Sequence, residues 1–175
     1  RRKRCMGLDQ YLYLESYQSE MKWNEKKKCS YSRDLKALGD EILERNFKSK
    51  TTRYQVGYWR KFNALQGWME RQFGEENTAK GVYLWTSHIE ELLDICKQVL
   101  KALETAPIKK DNYGNDCYEC PLAIELLPPT DGFFFGSQLI DEWYKDNLEY
   151  TIEIFTKVLK IVKEKNYEAY YDASW

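Results

Sequence analysis

The densest chemistry in this sequence lies at Tyr58-Trp59-Arg60-Lys61 with Asn63 close behind. Tyr and Trp faces can stack on a base, Arg and Lys can neutralise a phosphate, and an Asn amide can read a base or ribose edge. A second stretch, Thr130 to Leu148, sets glycines on either side of Phe133, Phe134 and Phe135 and follows them with a serine. Gly136 tolerates positive φ and close approach of another backbone or a ligand. Ser137 can accept hydrogen bonds from the free N–H groups of the helix it is expected to open, and that helix end can face an anion. Tyr58, Trp59, Arg60, Lys61, Asn63, Gly136 and Ser137 are therefore the candidate ligand-binding set, sized for a nucleotide-like molecule. The competing reading makes Trp59 and Phe62 core and pairs Arg60 and Lys61 with the acidic C-terminal helix.

Three other constellations carry weaker signals. Glu142 and Asp146 stand four residues apart, with Asp141 beside them, a spacing that could hold a divalent cation or supply a general acid. A metal-dependent enzyme acting on nucleotides or nucleic acid would use them so, but carboxylates in a first helical turn also simply favour the dipole. Cys117 and Cys120 have the spacing of half a zinc site, yet Cys5, Cys29, Cys96 and His88 offer no second chelating pair. Cys96 falls on an apolar helical stripe, where a thiol behaves as a small hydrophobe. His88 is the sole histidine, so histidine-centred catalysis must use it or do without. Phosphate-binding, dinucleotide-binding and nucleophile-elbow motifs are all missing, and no cofactor is implied. The residues favour binding over catalysis.

Stepping out from these residues, the apolar pattern predicts the elements that must hold them. Leu8 to Tyr17 reads as a strand buried through Leu8, Leu12 and Leu14, followed by a basic loop from Lys22 to Lys28. Ser32 to Phe47 reads as a helix and Lys48 to Thr52 as a loop. In the Tyr54–Gly74 run, Trp59, Phe62, Leu65, Met69 and Phe73 form one helical stripe that Gly74 stops. Gly81 to Trp85 is a short strand, and Ser87 with Glu90 makes a capping box for the clearest helix. Ile89, Leu92, Leu93, Cys96, Val99, Leu100 and Leu103 line its face. Asp111 to Cys120 reads as a loop, and the three phenylalanines as a buried strand. A long helix from Ser137 to about Lys165 is striped by Trp143, Leu148, Ile152, Phe155, Leu159 and Val162, and Tyr167 to Trp175 closes as a strand. The expected fold is α+β, with four main helices on a small, mostly antiparallel sheet, in one domain over 6–175.

Composition narrows the function class. The formal net charge of −1 gives no footprint for nucleic acid, although residues 1–30 carry eight Lys/Arg against four Asp/Glu and residues 137–175 carry five against eight. Aromatics make up 15% of the chain, led by 14 Tyr and 6 Trp, residues enriched at binding surfaces. No apolar run approaches bilayer length and no signal-peptide core stands at the start, so a cytosolic protein without a membrane partner is expected. Five cysteines, an odd number, fit reduced thiols there. Residues 1–5 read as a leader or arm before a start at Met6.

The blocks M-G-L-D-x-Y-L at Met6–Leu12, G-Y-W-R-K-x-N-A at Gly57–Ala64, and G-F-F-F-G-S with D-E-W-Y at Gly132–Tyr144 resemble a family of small phage and prophage proteins. The likeness covers nearly the whole chain from Met6; Gln66 stands where the family often has a histidine. The family has no established activity, so the resemblance carries over no catalytic residue. It implies an accessory factor acting on host processes, including host defence, where some phage proteins sequester nucleotide messengers as oligomers. The expected partners are thus a small nucleotide-like ligand or a blocked host protein.

Overall fold

The computed structural model describes residues 7–20, 22–24, 29–31, 48–132 and 135–175. Strands are β1 (Asp9–Glu20), β2 (Lys22–Asn24), β3 (Cys29–Tyr31), β4 (Lys48–Arg60), β5 (Val82–Leu84), β6 (Ile108–Lys110), β7 (Asp116–Tyr118) and β8 (Glu168–Ser174). Helices are α1 (Asn63–Phe73), α2 (Glu75–Thr78), α3 (Thr86–Leu103), α4 (Pro121–Leu126) and α5 (Glu142–Glu164). The architecture is α+β, as the pattern predicts. The chain divides into two compact units, one of Arg1–Leu14 with Gln55–Trp175, the other of Glu15–Tyr54.

In the larger unit, the four-stranded sheet runs in the order β4-β1-β8-β5. β5 and β8 pair antiparallel with Val82 opposite Tyr171 and Tyr83 opposite Tyr170. Side chains alternate across a strand, and burial follows that alternation. Leu8, Leu12, Leu14, Trp59, Val82, Leu84, Ala169, Tyr171 and Ala173 are buried. Tyr11, Tyr13, Tyr83 and Tyr170 fall on the opposite parity and are half-buried. Helices α3 and α5 close the core with Ile89, Leu92, Cys96, Val99 and Leu103 from one, and Tyr144, Leu148, Phe155 and Val158 from the other. A hairpin of β6 and β7 pairs Ile108 with Tyr118 and Lys110 with Asp116. In the smaller unit, β2 and β3 pair antiparallel with Trp23 opposite Ser30, and Arg53 Nε lies 2.6 Å from a Glu15 carboxylate oxygen.

Several boundaries differ from expectation. Lys48–Arg60 is a strand, so Trp59 belongs to β4 and the helical stripe begins only after it. Strand alternation and a helical stripe coincide there, because Trp59 is buried from the strand and Phe62 from the cap of α1. Lys22–Asn24 is likewise a strand rather than a loop, and the Asp111–Cys120 segment contains β7. The α3 cap sits earlier than the Ser87–Glu90 box: Trp85 N–H donates to His88 Nδ1 at 3.3 Å, while Glu90 pairs with Lys163. Trp143 is 54% exposed and takes no part in the α5 core face. The helix expected over 32–47, residues 1–6 and the Phe133–Phe134 part of the expected strand lie outside the described residues. Phe135 itself is buried, its N–H donating to Gly132 O at 3.1 Å.

Beneath the sheet lies a polar relay of neutral side chains that ends at the Glu70 carboxylate. Gln10 Nε2 donates to Phe62 O at 3.1 Å and to Tyr171 Oη at 2.9 Å, and Gln10 Oε1 accepts from Phe62 N–H. Tyr171 O–H donates to Gln66 Oε1 at 2.6 Å, and Gln66 Nε2 donates to Thr78 Oγ1 and Glu70 Oε1. Gln10, Gln66, Thr78 and Tyr171 are all fully buried. Burying so many polar groups is tolerable only because each has its partner.

Candidate functional site

The site is built where β4 ends and α1 begins. Gly57 and Trp59 point inward, whereas Tyr58 and Arg60 are exposed. The chain then turns at Lys61, whose φ of 59° is the only positive value at a non-glycine residue among those described. Such a conformation costs on the order of 1 kcal/mol and persists where the surroundings enforce it. Lys61 N–H donates to Leu8 O at 2.8 Å, tying the turn to the start of β1. Its stem passes between two glycines: a Cβ on Gly136 would meet Lys61 Cβ at 3.0 Å, and one on Gly7 would meet Lys61 Cε at 3.4 Å. Gly136 also sits at φ +96°, where an L side chain is strained.

Asn63, the first residue of α1, holds the segment carrying Gly136 and Ser137. Its Nδ2 donates to Ser137 O at 2.7 Å and Phe135 O at 3.3 Å, and its Oδ1 accepts from Thr130 N–H at 3.4 Å. One turn later, a Cβ on Gly67 would lie 1.8 Å from Thr130 Oγ1, so only glycine lets this segment press against α1. Asn63 is 3% exposed and its amide is committed to backbone, which corrects its expected role as a base reader. Ser137 Oγ accepts from Leu139 N–H at 3.0 Å and does not cap α5; Asp141 does, accepting from Tyr144 N–H at 2.9 Å.

The charged centre is a residue that sequence reasoning missed. Asp9 is 1% exposed, yet its Oδ1 accepts from Tyr58 O–H at 2.5 Å and lies 3.4 Å from Arg60 Nη1. The hydrogen bond to that carboxylate, reinforced by partial burial, raises the Tyr58 phenol above its ordinary value. Arg60 thus pairs with Asp9. Tyr11 lies 5.4 Å from the Tyr58 ring centre and 6.1 Å from that of Tyr13, continuing an aromatic row on the same face. The signal available in sequence was parity: Asp9, Tyr11 and Tyr13 alternate with Leu8, Gln10, Leu12 and Leu14.

Of the seven predicted residues, Tyr58, Arg60, Lys61, Asn63, Gly136 and Ser137 are brought to one junction. Trp59 is not. It is 1% exposed, donates through Nε1 to Thr151 Oγ1 at 2.9 Å, and packs against Tyr150 and Phe155.

The remaining constellations resolve into local structure. Glu142 accepts from Tyr118 O–H and lies 3.7 Å from Lys145, contacts that hold its carboxyl below the usual range. Among the described residues, no three His, Cys, Asp or Glu side chains gather in a metal-holding group. Cys117 Sγ donates to Lys109 O at 3.5 Å, Cys120 is buried before α4, and burial pushes the Cys96 thiol far up. His88 packs edge-on against Phe73 at 4.8 Å between ring centres. No helix among the described residues is long and apolar enough to cross a membrane. Comparisons with family models, with curated proteins and with solved structures each return no match.

Proposed function

We propose that this chain is a non-enzymatic binding protein for a small nucleotide-like ligand, held at the junction of β1, β4 and the 135–137 segment. The observation that carries this reading is the meeting of the exposed Tyr58 ring and the Arg60 cation at Asp9, with the stem of the next residue, Lys61, against Gly136 from a distant part of the sequence. Tyr58 and its neighbour Tyr11 offer rings for stacking, and the two cations offer charge for a phosphate. Trp59 drops out of the ligand set and serves the core. The resemblance to phage and prophage proteins supports an accessory role in the cytosol, antagonising host defence by sequestering a nucleotide messenger. A thermal-shift screen against mono-, di- and cyclic nucleotides tests the reading: stabilisation that Arg60→Gln abolishes is expected, and a flat response across the panel would sink it.

A second reading, a module that blocks a host protein, draws on the exposed Trp85 and Trp143. A stoichiometric partner in pull-downs, bound by a chain that answers to no nucleotide and lost on Trp85→Ala, would replace the first.

A further inference from the structure

We propose that Lys61 is the anchor for the ligand's phosphate, and that the fold accepts a strained backbone at this position in order to present a lysine there. This rests on the nucleotide-binding reading of the same site and names the residue on which its anion depends.

A left-handed turn between a strand and a helix is a position that glycine fills without strain. This chain places lysine there, at φ 59°. The conformation is enforced from both sides. The peptide before the side chain is pinned by the bond from Lys61 N–H to Leu8 O at 2.8 Å. The peptide after it is pinned by Gln10, whose Oε1 accepts from Phe62 N–H and whose Nε2 donates to Phe62 O, each at 3.1 Å. Gln10 is fully buried and is itself held by Tyr171 Oη at 2.9 Å. Two pinned peptides hold Lys61 in the left-handed region, so the strain is built into the sheet and not relieved by it.

The surroundings are shaped to the lysine stem as well. It starts against Gly136, where an added Cβ would meet Lys61 Cβ at 3.0 Å, and it reaches Gly7, where one would meet Lys61 Cε at 3.4 Å. Arg60 Nη2 borders the same vacant position on Gly7, at 3.6 Å. The stem therefore ends on the side of Gly7 where the guanidinium lies, with its ammonium one bond beyond Cε. Arg60 pairs with Asp9, whereas Lys61 is exposed and has no ion pair among the described residues. A stem already packed by two glycines has less rotamer freedom left to lose when its ammonium takes a partner. An ammonium is also a compact point charge suited to phosphate. Glycine at this position would keep the turn and remove the strain; what it would forfeit is the charge. Strain kept where a permissive residue would serve the fold marks a side chain retained for function.

Two measurements on the full chain separate this from a structural lysine. One is thermal melting without ligand. The other is calorimetric titration with adenosine 5′-monophosphate, adenosine 3′,5′-cyclic monophosphate, their guanosine, cytidine and uridine counterparts, and the free nucleosides. In the wild type, the best nucleotide is expected to bind about tenfold or more tighter than its nucleoside, the effect of one charge-assisted contact. Lys61→Met keeps the stem and the strain but removes the charge, so it should melt with the wild type and erase most of that advantage. Lys61→Gly should lose the advantage equally, yet melt at or above the wild-type temperature, because relief of the turn offsets the few stem contacts. Melting of Lys61→Gly several degrees below the wild type would make the stem part of the architecture and overturn the proposal, whatever binds. An unchanged nucleotide advantage in Lys61→Met would overturn it too, yet leave the nucleotide site standing. No binding by any probe would overturn both.

Discussion

Asp9 and Gln10 are consecutive residues of one strand, and each meets a tyrosine hydroxyl, but on opposite faces of the sheet. Gln10 points inward to buried neutral groups (an amide, a phenol, a second amide, a threonine and backbone), and the chain of bonds reaches a carboxylate only at its far end, the half-buried Glu70. Asp9 points outward to a phenol and a guanidinium that remain substantially exposed. Buried neutral hydrogen bonds specify one packing and have nothing left over for a ligand. A buried carboxylate whose partners reach solvent is a different investment, because its desolvation is offset by groups that can also touch something else. The inner cluster is architecture and the outer one is the candidate for function.

That contrast can be broken most forcefully from the inside. Gln10→Ala strands Phe62 N–H and carbonyl and removes a partner of Tyr171, and should lower stability by about 3 kcal/mol. Urea denaturation measures it; a loss under about 1 kcal/mol would mean that water reaches the relay and that the two faces differ less than their burial implies. Tyr171→Phe should cost less, about 2 kcal/mol, since Gln10 keeps its Phe62 bonds.

The same tyrosine makes a pH signature. Burial raises the Tyr171 and Tyr144 phenols far above their ordinary value of 10.0 and the Cys96 thiol above its 9.0. As pH climbs through those ordinary values, the unfolded chain sheds protons that the folded chain keeps. Stability is therefore complete below about pH 9 and falls progressively above it. Tyr171→Phe should flatten part of that alkaline decline in denaturation measured from pH 7 to 11, whereas an unchanged slope would place the phenol in contact with solvent. Smallest of all, Tyr58→Phe should alter stability by about 0.5–1 kcal/mol, because water can replace an exposed hydroxyl at the Asp9 carboxylate. A stability loss equal to that of Tyr171→Phe would put Tyr58 in the architecture as well.

Much of this arrangement was legible before any coordinates. The leucine alternation of β1 and the stripe of α3 are local patterns with one dominant period, and both elements form where the pattern puts them. The junction was half legible: cations, aromatics and the Gly136–Ser137 backbone were named as partners across some seventy residues of sequence. The strand-to-helix switch at Lys61 was not, because inward Trp59 and capping Phe62 mimic helical spacing by accident. Nor could sequence reveal that Ser137 leaves the capping of α5 to Asp141. Asp9 was hidden by its neighbours, since a lone carboxylate on the polar side of a strand reads as solvated until Tyr58 and Arg60 arrive from β4. The Gln10–Tyr171 bond joins residues 161 positions apart and has no local trace at all.

The strand order has a consequence in time. β8 lies between β1 and β5, so the first strand of the sheet waits for its inner neighbour until the ribosome has made nearly all of the chain between them. Until then Leu8, Leu12 and Leu14 have no finished sheet to belong to, and Gln10 lacks Tyr171. Such long-range closure slows folding and exposes an unpaired edge while synthesis proceeds. A nascent chain halted before residue 168 should be recognised by chaperones as unfinished, however complete its helices.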